Sequence, residues 1–198
     1  MRLHIGAGPL AIEGWTNVDI AALPGVDVVM DVRDPWPFDD VELIFAEHFL
    51  EHLTLEEGLT FLRRCRTALR DDGVLRLSTP NLDWVWLTHY KPPQDLTPEE
   101  KLLGCLEINR AFHGWGHQFL WNLRTLELAL RAAGFAEITP QRYGESTVEA
   151  LRGLERHEHH EDRDSAPSVV IVEARGRAQI DESFATAIAP YIADFNAR

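Results

Sequence analysis

The sequence predicts an α/β protein built on a doubly wound, mostly parallel sheet. Short apolar or β-branched runs alternate along the chain with segments whose apolar residues recur at helical spacing, as in strands joined by crossover helices. The first run, residues 3–5, leads at once into a glycine turn, as expected of a central strand covered on both faces. Residues 1–198 are predicted to form a single domain by their length.

The glycine turn, Gly6-Ala7-Gly8, is the first candidate for ligand binding. Glycine permits positive φ and lets a ligand approach the backbone closely, and the amides after such a turn can face an anion. Asp19 stands at the tip of the second predicted strand, where a carboxylate can accept hydrogen bonds from a ribose diol. A tight turn without any ligand would have the same residues, so their spacing has to be considered.

This spacing differs from that of a dinucleotide-binding site. In such a site a third glycine packs a long helix, and the acid follows about 20 residues later. Here Ala11 takes the third glycine position, and Asp19 follows Gly8 by only eleven residues. Pro9 and Gly14 leave room for about one helical turn. We therefore expect a very short first crossover, and the pattern opposes an NAD(P) site.

A third strand is predicted over residues 26–32 from its β-branched content. It carries Asp31, twelve residues after Asp19, with Val32 beside it. Two successive strands that each end on an acid suit an adenosine, with one acid for the ribose and the next beside the adenine. A strand-end aspartate that only caps its own turn is an equally good interpretation of Asp31.

An acid-histidine segment follows the fourth predicted strand. The strand covers residues 41–46, and the segment EHFLEHL covers residues 47–53. Thr54 then begins an amphipathic helix with a capping box. We expect this helix to end at Asp72-Gly73, with glycine in its usual C-terminal role, and a fifth strand to cover residues 73–78.

The strand-end acid Asp19 follows the GxG turn by only eleven residues. In this spacing the chain resembles small class I S-adenosylmethionine (SAM)-dependent methyltransferases that are similar to methyltransferase type 11. The order of strand, acid-histidine turn, helix, Asp-Gly, strand and Thr-Pro-Asn is similar to the region between the fourth and fifth strands of that family. A helix ending near Gly134 and strands at residues 137–142 and 168–175 extend the resemblance over most of residues 3–175. It implies a Rossmann-like sheet of seven strands with an antiparallel last strand.

The resemblance also implies a cofactor and its site. SAM would lie across the strand ends, and S-adenosyl-L-homocysteine would be the product. The candidate cofactor-binding residues come from the glycine turn and the ends of the next strands: Gly6, Ala7, Gly8, Asp19, Ile20, Asp31, Val32 and Glu47. Glu47 can anchor the methionine ammonium of SAM or be purely structural.

Three histidines are candidate catalytic or acceptor-pocket residues. His48 follows the strand that faces the methyl group in this family, and histidine can act as a general base near neutral pH. A structural histidine bonded within its own turn would suit the same position. His113 and His117 flank HGWGH, whose glycines favour a loop over a helical metal pair.

A long aromatic insertion, residues 81–121, separates the fifth strand from the next core helix and contains four of the six tryptophans. Part of it is predicted to be helical, with a capping box at Thr97 and an apolar leucine face. We expect it to cover the acceptor; a satellite core or a dimer contact are the alternatives. Further helices are predicted near residues 146–154 and in the tail, residues 178–198, with a bend near Pro190.

Composition limits the function classes. The net charge of −13 makes a nucleic-acid partner unexpected, because phosphate binding needs a basic surface. We expect no membrane segment and no signal peptide, and we expect Cys65 and Cys105 to be buried thiols, as in a cytoplasmic protein. The patch HEHHEDRD, residues 157–164, is interpreted as a solvated loop, so no metal is expected to take part.

The predicted function is therefore SAM-dependent methylation of a small-molecule acceptor, with a homodimer as one option. Two alternatives stay open. A non-catalytic SAM-fold binding or scaffold protein would have the same cofactor motifs. An NAD(P)-dependent oxidoreductase is opposed by the short spacing between Gly8 and Asp19.

Overall fold

The computed structural model describes residues 1–90, 96–157 and 166–196. The strands are β1 (Arg2–Ile5), β2 (Thr16–Asp19), β3 (Val28–Val29), β4 (Val41–Glu47), β5 (Leu69–Pro80), β6 (Phe135–Pro140) and β7 (Val169–Arg177). The helices are α1 (Leu55–Ala68), α2 (Leu82–His89), α3 (Pro98–His113), α4 (Leu123–Ala132) and α5 (Glu182–Asn196). Short 3₁₀ turns cover Leu50–His52, Gly114–Gly116 and Glu149–Leu151.

The described strands form one seven-stranded sheet in the order β3-β2-β1-β4-β5-β7-β6. All pairings from β3 to β5 are parallel, whereas β7 is antiparallel to both of its neighbours. The predicted Rossmann-like fold class is thereby confirmed. The strand order reverses between β1 and β4, and such a switch point places a ligand crevice at the carboxyl ends of the strands.

The first crossover is as short as predicted, since no helix lies between β1 and β2. The glycine turn has positive φ at Gly6 (+68°) and Gly8 (+52°). A Cβ on Gly6 would also lie only 2.6 Å from Cδ2 of Phe49, which follows β4. Glycine is thus required at this position both by the backbone conformation and by the close approach of the aromatic ring.

Strand boundaries differ from the prediction at β3 and β5. β3 contains only Val28 and Val29. β5 begins at Leu69, directly after α1, so the expected helix end at Asp72-Gly73 is wrong. Gly73 instead lies inside the strand, where a Cβ would be 2.8 Å from the carbonyl oxygen of Val41. Its role is the close approach of two strands, not helix termination.

The expected helix over residues 146–154 is also wrong: only the single 3₁₀ turn Glu149–Leu151 forms. Gly144 and Gly153 both have positive φ, and the N–H of Gly153 donates to the carbonyl of Gly144 at 3.0 Å, which closes the segment into a loop. Leu151 is fully buried on one face of the sheet, where it packs in a cluster with Trp15 and Phe45. A loop therefore covers this face, while α1 and α4 contribute to the main core.

A buried ion cluster ties this loop to the sheet. Arg76 on β5 donates to Glu155 and to Glu173, each at 2.7 Å, and all three side chains are fully buried. Glu155 also accepts the N–H of Gly144 at 3.2 Å. Removal of the Arg76 side chain would leave two buried carboxylates unpaired, which is costly. The cluster therefore holds the loop that contains Glu155 against β5 and β7.

Both predicted capping boxes form. The Thr54 hydroxyl accepts the N–H of Glu57 at 3.3 Å, and the Glu57 carboxylate accepts the N–H of Thr54 at 2.9 Å. Thr97 and Glu100 repeat this arrangement at the start of α3. None of the side chains of α3 is buried, and its three leucines, the predicted apolar face, are exposed: Leu102, Leu103 and Leu106.

Cys65 is buried as expected, whereas Cys105 is exposed because α3 packs only lightly on the rest of the described chain, so that part of the expectation is wrong. No helix in the described ranges has the length and apolar character needed to cross a bilayer.

Candidate functional site

The glycine turn and Asp19 are joined by hydrogen bonds at the ends of β1 and β2. The N–H groups of Gly6 and Ala7 donate to the carbonyl of Val18 at 2.9 and 3.1 Å. The two oxygens of Asp19 accept the N–H groups of Gly8 and Ala21, each at 2.8 Å. The carboxylate therefore holds the turn in shape, and each oxygen keeps a further lone pair for a ligand hydroxyl.

The second strand-end acid is held by an arginine. Arg33 donates to the carboxylate of Asp31 through its backbone and its guanidinium, at 2.6–2.9 Å, and these hydrogen bonds lower the pKa of Asp31 below its ordinary value. Val32 is buried, and its carbonyl accepts from Trp36 at 2.9 Å. Ile20, next to Asp19, is by contrast 65% exposed. An apolar side chain thus faces solvent beside the strand-end carboxylate.

Glu47, the last residue of β4, is buried and binds the segment that follows the 144–154 loop. It accepts the N–H of Arg156 at 2.9 and 3.0 Å and that of His157 at 3.2 Å, and Nδ1 of His157 lies 3.2 Å from it. Together with the glycine turn, these residues enclose a cavity of about 10 Å³. A space of about 10 Å³ admits no ligand group larger than a water molecule unless its lining moves.

His4 lines the same small cavity. Its Nδ1 lies 3.1 Å from Oδ1 of Asn17, and its ring stacks on Phe45 with centroids 5.4 Å apart. Burial lowers the pKa of His4 below its ordinary value of 6.5. The sequence pattern showed His4 only as part of a strand, because nothing local distinguishes a site histidine from a core one.

A much larger cavity, of about 790 Å³, opens at the carboxyl ends of β4 and β5. Pockets of about 300–1,000 Å³ are typical for small-molecule ligands. Its walls come from the 3₁₀ turn after β4, from α2 and α3, and from the segments at residues 115–117 and 168–169. Five of its lining residues are histidines: His48, His52, His89, His117 and His157.

The aromatic insertion supplies part of this wall. Trp84 and Trp115 line the cavity, and the guanidinium of Arg110 lies 4.7 Å above the ring of Trp115. Trp86 and Tyr90 instead stack on each other at 4.4 Å and do not line it. Trp121 is fully buried in the main core. The insertion is thus divided between cavity wall, core and exposed surface.

The three candidate histidines are placed differently. His48 and His117 both line the large cavity, whereas His113, the last residue of α3, is exposed and does not. His48 has a left-handed φ of +47°, which costs a non-glycine residue on the order of 1 kcal/mol and is concentrated at functional sites. Its ring stacks on His157 at 4.5 Å, and its Nδ1 lies 3.2 Å from Oε1 of Glu51.

The structure also forms a cluster that the sequence did not indicate. Glu51, His52 and His117 each offer a donor atom, and these atoms lie within 4.8 Å of one another. The two parts of the cluster are separated by 65 residues in the chain. Of the patch at 157–164, only His157 belongs to the described residues.

Comparisons with known proteins identify the fold. No protein-family model matches the chain, and no curated protein matches it in sequence. Among solved structures, a SAM-dependent methyltransferase from Archaeoglobus fulgidus superposes with a TM-score of 0.54 and 16% identity, over 87% of this chain and 84% of that one. DhpI, solved as a complex with S-adenosylhomocysteine, gives 0.53 and 15% over 90% and 77%.

The fold is that of class I SAM-dependent methyltransferases. The SAM-dependent methyltransferase SibL in its apo form gives a TM-score of 0.54 and 12% identity over 89% of this chain. The chain spans only 50% of SibL and 51% of an O-methyltransferase described as putative from Nostoc punctiforme. At these identities the likeness shows the architecture, and the activity has to be argued from the site.

Proposed function

We propose that this protein transfers the methyl group of SAM to a small-molecule acceptor. The observation that carries the proposal is the 790 Å³ cavity at the carboxyl ends of β4 and β5, beside the glycine turn of a methyltransferase fold. The sulfonium of SAM carries the reactivity, so the protein mainly has to orient the two reactants and exclude water. The cavity combines the rings of Trp84 and Trp115 with polar side chains, five of them histidines, that can fix the orientation of an acceptor.

The cofactor site in this proposal follows the strand ends. Gly6, Ala7 and Gly8 let the cofactor approach the backbone, and Asp19 binds the ribose diol with the lone pairs that the turn leaves free. Ile20, Asp31 and Val32 lie along the adenosine side. Glu47 lies at the methionine end of the cofactor site. Its carboxylate accepts the N–H groups of Arg156 and His157, so the position of these two residues determines whether the methionine group can enter.

The acceptor site is the large cavity. His48 is the proposed general base, supported by its place in the wall and its strained backbone. His117 and Trp115 contribute polar and apolar contacts from the insertion. The assignment of His113 as an acceptor contact has weaker support, because its side chain is exposed outside the cavity lining.

A second candidate is a non-catalytic protein of the same fold. It is favoured by the closed space between the glycine turn and Glu47, where residues 156–157 take the place that the methionine end of a cofactor would need. An NAD(P)-dependent oxidoreductase remains disfavoured by the absence of a helix between β1 and β2.

The net charge of −13 favours small molecules over nucleic acid as binding partners of this protein. The two cysteines are free, which supports a reducing compartment such as the cytoplasm. The exposed leucines of α3 are the surface that a homodimer would use.

The test begins with the purified protein. Native mass spectrometry and calorimetry with SAM, S-adenosylhomocysteine and NADH would identify the cofactor, and labelled SAM would then be incubated with a panel of small hydroxyl, amine and acidic-carbon acceptors. We expect SAM and S-adenosylhomocysteine to bind, NADH not to bind, and label to appear in at least one acceptor. Binding of SAM without transfer to any acceptor would favour the non-catalytic protein, and no SAM binding would contradict methyl transfer.

A further inference from the structure

We propose that Glu51, His52 and His117 form a binding site for a divalent first-row transition metal in the wall of the large cavity. All three residues line the cavity, and their donor atoms lie within 4.8 Å of one another. Tetrahedral ligands that lie about 2.0–2.2 Å from one zinc ion are about 3.3–3.6 Å apart from one another. Changes in the side-chain torsion angles would have to bring the most distant donor atoms closer by up to about 1.5 Å.

The carboxylate of Glu51 is the strongest single indication. The side chain is fully buried, and Oε2 accepts the hydroxyl of Thr79 at 3.0 Å. Oε1 has no hydrogen bond of acceptable geometry, although Nδ1 of His48 lies 3.2 Å away. A buried carboxylate is costly unless it is paired or coordinates a metal, and a cation at this cluster would supply the missing partner.

A hydrogen bond to the backbone fixes the tautomer of His117. Its Nδ1 lies 2.7 Å from the carbonyl oxygen of Ala111. A carbonyl can only accept, so Nδ1 carries the proton and Nε2 keeps a free lone pair. Histidines that bind metals commonly donate their other nitrogen to a backbone carbonyl in this way, which fixes the tautomer and the ring orientation.

The donor set selects the kind of ion. Two imidazole nitrogens and one carboxylate favour Zn²⁺, Co²⁺ or Fe²⁺ over Mg²⁺ and Ca²⁺, which prefer all-oxygen sites. Three protein ligands leave at least one coordination position for a water or a ligand oxygen. The metal site stands independently of methyl transfer; a role in binding an acceptor oxygen and lowering its pKa rests on the proposed function.

The proposed site departs from the sequence expectation that no metal takes part. Metal motifs in a sequence are recognised by short spacing, and here His52 is 65 residues and Glu51 is 66 residues away from His117. They meet because the segment after α3 returns to the turn after β4: the N–H groups of Gln118 and Phe119 donate to the carbonyl of Glu51 at 2.7 and 3.2 Å.

The test is calorimetric titration of the EDTA-treated protein with ZnCl₂, supported by the absorption spectrum of the Co²⁺ form. We expect one equivalent of Zn²⁺ to bind, and Mg²⁺ under the same conditions not to bind. Glu51→Gln, His52→Ala and His117→Ala should each weaken Zn²⁺ binding by about tenfold or more. Glu51→Gln preserves the side-chain shape, and circular dichroism would confirm that each variant is folded.

Two controls separate this site from other histidines. His113→Ala removes an exposed histidine of the same insertion, and His159→Ala with His160→Ala removes two histidines of the 157–164 patch. Both controls should keep Zn²⁺ affinity within about threefold. The proposal is overturned if no stoichiometric binding occurs, if any of the three ligand variants keeps wild-type affinity, or if the patch variant loses the site. Titration of the same variants with SAM distinguishes the two proposals. A variant that loses Zn²⁺ binding can still be tested for SAM binding, and a protein that does not bind SAM can still be tested for Zn²⁺ binding.

Discussion

The carboxylate of Glu47, at the end of β4, accepts the backbone N–H of Arg156 with both of its oxygens, at 2.9 and 3.0 Å. This contact joins residues that are 109 positions apart and closes the space above the glycine turn. Glu47 was a candidate anchor for the methionine ammonium of SAM. Its observed partners indicate that any such role is coupled to movement of the 156–157 segment.

The first prediction concerns this contact. Glu47→Ala should speed hydrogen exchange of the Arg156 and His157 amides by about tenfold or more, because hydrogen bonds to a charged group are worth about 1.5–3 kcal/mol. Exchange would be followed by mass spectrometry at single-residue resolution. Glu42→Ala, also on β4 but in a half-buried ion pair with Arg2, is the control and should leave both amides unchanged. Equal exchange in the wild type and Glu47→Ala would show that other contacts hold the segment.

The second prediction concerns Asp19. Its two oxygens accept the N–H groups of Gly8 and Ala21 and are proposed to bind the ribose diol as well. Loss of two charge-assisted hydrogen bonds to the diol would cost about 2–4 kcal/mol of binding. Asp19→Ala should therefore weaken SAM binding at least tenfold in calorimetry while the fold survives.

Asp39→Ala, an exposed aspartate in the turn before β4, is the matched control and should bind SAM as the wild type does. An unchanged dissociation constant in Asp19→Ala would remove Asp19 from the cofactor site. Unfolding of the variant would instead show that the carboxylate mainly holds the glycine turn, and Asp19→Asn, which keeps an acceptor oxygen, would then be measured.

The third prediction uses two tryptophans of the insertion. Trp115 lines the large cavity, whereas Trp86 stacks on Tyr90 outside it. Trp115→Ala should reduce turnover and leave SAM affinity within about threefold, because acceptor contacts and cofactor contacts are separate. Trp86→Ala should change turnover far less. Similar turnover in the wild type and Trp115→Ala would contradict the acceptor role of this part of the insertion.

The fourth prediction is a pH dependence of stability that arises from His4. Burial lowers its pKa in the folded state below 6.5, so the folded protein binds fewer protons than the unfolded chain at mildly acidic pH. The contribution of His4 is fully present above about pH 6.5 and is lost as the pH falls toward the folded-state pKa. Urea unfolding at several pH values would measure the slope.

The variant for this test is His4→Gln, which keeps polarity without titrating in this range. We expect its free energy of unfolding to fall less between about pH 7 and pH 5 than that of the wild type. His89→Gln is the comparison variant, because it also replaces one histidine by glutamine but at a different place from the buried His4 of β1. His89 lies in the wall of the large cavity and pairs with Glu107. Parallel slopes for the wild type and His4→Gln would assign the acid sensitivity to other groups.

Local features of this chain were determined by the sequence itself. The glycine turn is predictable because Gly6 and Gly8 supply positive φ, which other residues rarely adopt. The capping box at Thr54 depends only on residues within one helical turn. The order of strands and helices follows from hydrophobic periodicity, and the family resemblance extended it correctly to the antiparallel β7.

Tertiary structure decided the properties that depend on distant contacts. Gly73 was predicted to end a helix, yet it lies in β5, where the carbonyl of Val41 approaches it too closely for a side chain. Cys105 lies in a helical pattern like that of Cys65, but only Cys65 meets a core. Side-chain periodicity states which residues share a face and says nothing about whether another element covers that face.

The candidate site shows the same division most clearly. His48 and Asp19 could be proposed as site residues from the sequence because each lies at or just after the end of a predicted strand, where α/β folds bind ligands. The hold of Glu47 on Arg156 and the meeting of Glu51 and His52 with His117 were not identifiable, because no local pattern encodes a contact across 65 or 109 residues. Such contacts arise only when the folded sheet brings the ends of its strands and the returning loops to one edge.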